Sequence, residues 1–208
     1  CKEQIPILSE CVLPSEQEQS QKSEQSEDEV APRVCNELTP NEESNLEVNA
    51  LLRDFSIEKE EKMLKAIRRL QLVVNSEEFK KRVLNHEYEG AKAFIDSNGL
   101  TNEEIYESLI SASETLLPEE ANDNEIDVDI TLYYSNNSTV GYTYPNVIGI
   151  WVNDKFFSSY TLGKVAANVV HEWTHKLGYG HDFNRTTRRK FSVPYGIGSI
   201  VEEMIDSL

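Results

Sequence analysis

The sequence predicts an α+β domain, with helices in its first half and then a small mixed sheet packed on one further helix. Three observations predict it. Apolar residues recur every three or four positions between Ser56 and Leu116, they alternate with polar residues from Ile126, and they return to helical spacing from Thr161 to Leu177.

The first helix is expected over Ser56–Val74, where Met63, Ile67, Leu70 and Val74 form one apolar stripe among lysines, glutamates and arginines. Ser76 opens a second, which the spacing of Phe79, Val83, Leu84, Tyr88, Ala91 and Ile95 carries to Asn98 and Gly99, residues suited to a left-handed exit. Thr101 and Glu104 make a capping box for a third, through Ile105, Leu109 and Leu116 to a stop at Pro118. These helices read as core, serving as a support or as a pro-region over a cleft. Ile126, Val128, Ile130 and Leu132 alternate with polar residues, as a half-buried strand does. Val140–Tyr144 and Val147–Val152 follow as strands, split by Pro145 and Asn146. Thr161–Leu177 is then a helix buried through Leu162, Val165, Ala166, Val169, Val170 and Trp173, and Ile200–Leu208 a terminal one.

The chain has 208 residues, 38% of them hydrophobic, which suits one domain and a tail, and no apolar run approaches the roughly 20 residues of a membrane-spanning helix. Its formal charge of -17 is uneven: residues 1–47 carry three basic groups against twelve acidic ones. Such acidity argues against a nucleic-acid partner, which needs a basic footprint. Pro14–Pro32 is Ser, Glu and Gln with almost nothing to bury, so residues 1–47 are expected to be a disordered acidic tether and the domain to run from near Val48 to Leu208. Cysteine at position 1 followed by a polar tether resembles bacterial lipoproteins. That resemblance implies an exported protein anchored to a membrane by lipid on Cys1, on the periplasmic or cell-surface side. Cys11 and Cys35 would remain as a disulfide pair or as free thiols.

The helix from Thr161 ends in HEWTHKLGYGH, His171 to His181. Four residues advance a helix by about 400°, so His171 and His175 leave nearly the same face one turn apart and suit one zinc ion. Glu172, turned by about 100°, reaches a water at the metal without ligating it, the place for a general base. Gly178 allows the sharp turn that returns His181 as third ligand, and three protein ligands leave a position open for water. His86, the fourth histidine, reads as a surface residue.

The pattern HExxHxxGxxH, here His171, Glu172, His175, Gly178 and His181, resembles the zinc motif of the metzincin metalloproteases. The resemblance covers eleven residues. It implies a zincin-like metallopeptidase, with a twisted sheet above the active-site helix and substrate alongside an edge strand. It also gives Asp182 a structural role. The methionine turn of that family is missing: Met204 lies in the terminal helix, and SVPYGIG, Ser192 to Gly198, stands at the turn position. Tyr195 there is a candidate for oxyanion stabilisation, as a tyrosine after the methionine is in some metzincins. Glu202 and Asp206 form an ExxxD resembling the third-ligand helix of thermolysin-like peptidases, a rival to His181. Cys35 in PRVC faintly resembles the zinc-capping cysteine of matrix metalloproteases.

The expected function is thus a zinc-dependent endopeptidase acting on peptide or protein as a monomer, with Glu172 activating water. The alternatives are a non-catalytic zinc-containing surface or periplasmic binding lipoprotein, and zinc hydrolysis of another bond such as a peptidoglycan cross-link. Arg185, Arg188, Arg189 and Lys190 either attract acidic substrate or solvate a loop.

Overall fold

The chain enters its packed region as a strand rather than a helix. In the computed structural model, which describes residues 38–117, 119, 121–144 and 146–208, β1 (Glu47–Arg53) turns Val48, Ala50 and Leu52 to the core and its charged residues outward. Leu38–Leu208 is one unit. Ahead of Val48, Asn41 and Leu46 are already buried, and the Asn75 amide bonds both backbone groups of Leu46 at 2.8 Å. Cys1, Cys11, Cys35 and the Pro14–Pro32 linker lie outside the described residues, and so do the anchor, disulfide and capping expectations placed on them.

Helix α1 (Ile57–Val74) buries Met63, Ile67, Leu70 and Val74 as the stripe requires, and α2 (Glu77–Leu84) starts on a Ser76 cap that accepts the Phe79 N–H. The expected continuation to Ile95 fails. The chain leaves α2 at Asn85 and makes a hairpin, β2 (Glu87–Tyr88) and β3 (Ala91–Lys92), around Glu89 at φ 50° and Gly90 at φ 80°. Tyr88, Ala91 and Ile95 merely share helical spacing, whereas two successive left-handed residues are what a tight hairpin turn demands. Asn98 and Gly99 do have positive φ, but in the loop before α3. The capping box of α3 (Asn102–Ile110) is present, with both reciprocal bonds of Thr101 and Glu104. This helix stops at Ile110 because Ala112 is left-handed, so Leu116 falls outside it.

β4 (Glu125–Tyr133), β5 (Gly141–Thr143) and β6 (Gly149–Asn153) join β1 in a mixed sheet ordered β1-β4-β6-β5, parallel except for β5, which runs antiparallel to β6 at the edge. The short α4 (Asp154–Phe157) leads to α5 (Leu162–Thr174), which packs against α1, β5, β6 and α6 (Val193–Asp206). The architecture is thus a mixed helix-and-strand domain around a small mixed sheet, compatible with α+β. The order differs from expectation, since a strand precedes the helices.

The start of α6 is also a correction. Val193 to Gly198 is helix, with Ser192 as its N-cap and Pro194 in the first turn, where a missing N–H costs nothing. The approach of α6 to α5 is close: a Cβ on Gly163 would lie 2.5 Å from Asp206 Oδ1 and 2.6 Å from the Glu202 carbonyl. Asp206 accepts from Thr161 Oγ1 at 3.0 Å and the Gly163 N–H at 3.1 Å, tying the end of α6 to the start of α5. No helix among the described residues is long and apolar enough to cross a membrane.

Candidate metal centre

Helix α5 starts on Thr161, whose hydroxyl accepts the Lys164 N–H, and lays Val165, Val169 and Trp173 into the core. Its exit decides the site. Gly178 at φ 92° lets the Tyr179 N–H reach the Thr174 carbonyl at 3.2 Å and the Gly178 N–H reach His175 O at 3.1 Å, the paired bonds of a Schellman turn. The coil is therefore continued by turns toward Leu177 before reversing, close to the end the apolar spacing gives. Three outside groups take the freed carbonyls: Leu116 N–H on Lys176, Thr115 Oγ1 on Leu177, and Asn98 Nδ2 on Gly178. Within 38–117 the segments around α3 thus act as a support for this turn.

That reversal brings His181 back beside α5. The ligating atoms of His171, His175 and His181 all lie within 4.8 Å of one another, and among the described residues they are the one group of three or more such side chains that could hold a metal ion. Each ring meets a backbone carbonyl: His175 Nδ1 is 2.7 Å from Tyr179 O, His181 Nδ1 is 3.1 Å from Asp182 O, and His171 bonds the Pro194 backbone. Such partners fix which nitrogen faces the metal. Burial, then the neighbouring His175 and His181, holds His171 well below the ordinary imidazole value, and burial lowers His175 and His181 too. The rings are thus neutral near pH 7, as metal ligation requires. Three converging neutral imidazoles suit zinc.

Glu172 is 5% exposed beside them, and burial lifts its carboxyl to about 7 against the pull of Lys176. Lys176 is wholly buried, brought down to about 8 by burial, and its ammonium donates to Thr143 Oγ1 at 2.9 Å and to the Val147 carbonyl. It thereby clamps the β5–β6 hairpin to the end of α5. On the other side of that hairpin Tyr142 stacks on Trp151 at 5.1 Å. Beneath α5, buried Glu114 accepts from the Trp173 indole, and burial raises its carboxyl to about 7. Comparison with family models, curated proteins and solved structures finds no match.

A cleft of about 1390 Å³ opens over the three histidines and Glu172, bordered by β5 on one side and the first turns of α6 on the other. Tyr195 is brought to the site: its ring centre lies 4.5 Å from that of His171 and 4.9 Å from that of His181. Glu202 is not brought into the histidine group, and Asp206 is engaged at the start of α5. His86 is no surface residue: it is half-buried, stacked on Phe94 at 3.9 Å, and lines the cleft behind α6, its Nε2 without a partner among the described residues. Of the basic run, Arg188 is exposed, while Arg189 is half-buried over Tyr195.

Lys176, Glu114 and the orienting carbonyls escape sequence reasoning. One signal did exist for Lys176: it extends the buried stripe of Val165, Val169 and Trp173 by one more step, where a charge is out of place.

Proposed function

We propose that this chain is a zinc-dependent endopeptidase with a metzincin-like active site, His171, His175 and His181 being the ligands and Glu172 the general base. The observation that carries the reading is the convergence of three carbonyl-oriented imidazoles within 4.8 Å beside a buried carboxyl at the floor of an open cleft. Zinc bound there supplies Lewis acidity. Substrate lies extended along β5, whose outer edge faces no other strand of the sheet, so backbone hydrogen bonds can hold it as an added strand. Glu172 removes a proton from the attacking water and delivers it to the leaving amine. A carboxyl raised to about 7 suits both duties. Tyr195, beside His171 and His181 at the cleft wall, donates its hydroxyl to the developing oxyanion. Pro194 gives its carbonyl to His171, and Tyr195 beside it gives a phenol to the cleft wall.

The test is metal analysis with peptide-library cleavage on the wild type and Glu172→Gln. One zinc per chain in both is expected, with cleavage reduced by about 10²- to 10⁴-fold in the variant. A wild type that holds zinc and cleaves no peptide sinks the peptidase reading and leaves a zinc-containing binding protein.

A further inference from the structure

We propose that Arg189 recognises a carboxylate on the substrate, making the cleft selective for acidic peptides. The proposal rests on the peptidase reading and names its substrate class. The Arg189 guanidinium lies 4.3 Å from the centre of the Tyr195 ring, and that ring lies against His171 and His181. The charge is therefore one ring away from the reacting centre, on the wall of the cleft.

Arg189 is a cation without an ion-pair partner among the described residues. Among the described residues its Nε is buried with no partner, and its Nη1 reaches only the Phe183 carbonyl, at 3.4 Å. None of the ion pairs among the described residues includes it. Asp182 is near enough to be felt, but one of its oxygens accepts the Asn184 N–H at 2.8 Å. Arg185 and Lys190 line the cleft as well, whereas Glu202 and Glu203 line it from α6. In a chain of net charge -17, this is a local reversal of sign beside the site.

A half-buried charge without a counter-ion is costly, and a ligand anion would remove that cost. A guanidinium over an aromatic face keeps its N–H fork at the edge, and that fork matches the two oxygens of a carboxylate. The carboxylate has two sources, an Asp or Glu side chain near the scissile bond or the free terminus of a short peptide.

Binding to the zinc-loaded full chain carrying Glu172→Gln, which does not turn substrate over, tests this directly. Fluorescein-labelled peptides are compared by anisotropy, one Glu-rich and one with every Glu replaced by Gln, each with a free and an amidated C-terminus. The Glu-rich peptide or the free-acid peptide is expected to bind about tenfold tighter than its neutral counterpart. Adding Arg189→Gln should erase that ratio, and Arg189→Lys should retain only part of it. If Arg189 merely positioned Tyr195, acidic and neutral peptides would weaken alike. Equal binding of charged and neutral peptides, no binding of either, or a ratio that survives Arg189→Gln in zinc-loaded protein overturns the proposal. The readout needs no cleavage, so a catalytically inert wild type would end the peptidase reading and leave this result standing.

Discussion

Helices α5 and α6 lie side by side over the same cleft and serve it in different ways. α5 and its C-cap His175 carry two of the proposed ligands and Glu172 directly, and the helix advertises them by a regular apolar stripe, a threonine cap and a glycine exit. α6 contributes the Pro194 backbone and Tyr195 from a first turn rich in proline and glycine. The difference teaches that a site can divide into groups that bind and groups that orient, and the two leave unequal traces in a sequence.

Breaking α5 should have the largest effect. His175→Ala is expected to abolish zinc retention and activity together. Tyr195→Phe on α6 should keep one zinc per chain while lowering kcat by about a hundredfold; loss of metal from it would erase the distinction between the helices. The contact between them is the next target. Gly163→Val drives a side chain into Asp206 and should destabilise the fold by about 3 kcal/mol in a denaturant titration. An unchanged midpoint would mean that the helices have room to part.

A smaller effect belongs to Glu114, beneath α5. Its folded value near 7 exceeds the ordinary 4.5, so the folded chain holds this proton more tightly than the unfolded one. Stability therefore falls as pH rises from 4.5 to about 7 and levels beyond. Buried Glu172 adds a slope of the same sign. In metal-free protein, Glu114→Gln should recover about 2 kcal/mol at pH 8 relative to pH 5. An identical pH slope in the variant would sink this. The smallest effect is expected from Asp206→Ala, which removes the tie to the start of α5 and should cost about 1 kcal/mol with zinc content unchanged.

The elements that were legible are those fixed by neighbours in sequence. α1, the α3 capping box, the alternation of β4 and the body of α5 all rest on contacts within a turn or a strand. β1 is hidden because its exposed face breaks up a seven-residue run, and the hairpin after α2 because Tyr88 and Ala91 imitate helical spacing. Ser192–Gly198 looked like a turn because its glycines suit a close packing partner that only the tertiary fold supplies. The site divides likewise. His171, Glu172, His175 and His181 could be named from their spacing, which is local. The partners of Lys176 and Trp173 lie far away in the chain, and Arg189 is set over the nearby Tyr195 by a turn that residue spacing does not show.

One consequence concerns the carbonyl that steadies His175. It belongs to Tyr179, whose hydroxyl shares a 2.7 Å hydrogen bond with Ser108 on α3, more than sixty residues away. The eleven-residue motif is therefore not a portable cassette. Transplanted onto another helix, it would take its imidazoles along and leave their aim behind.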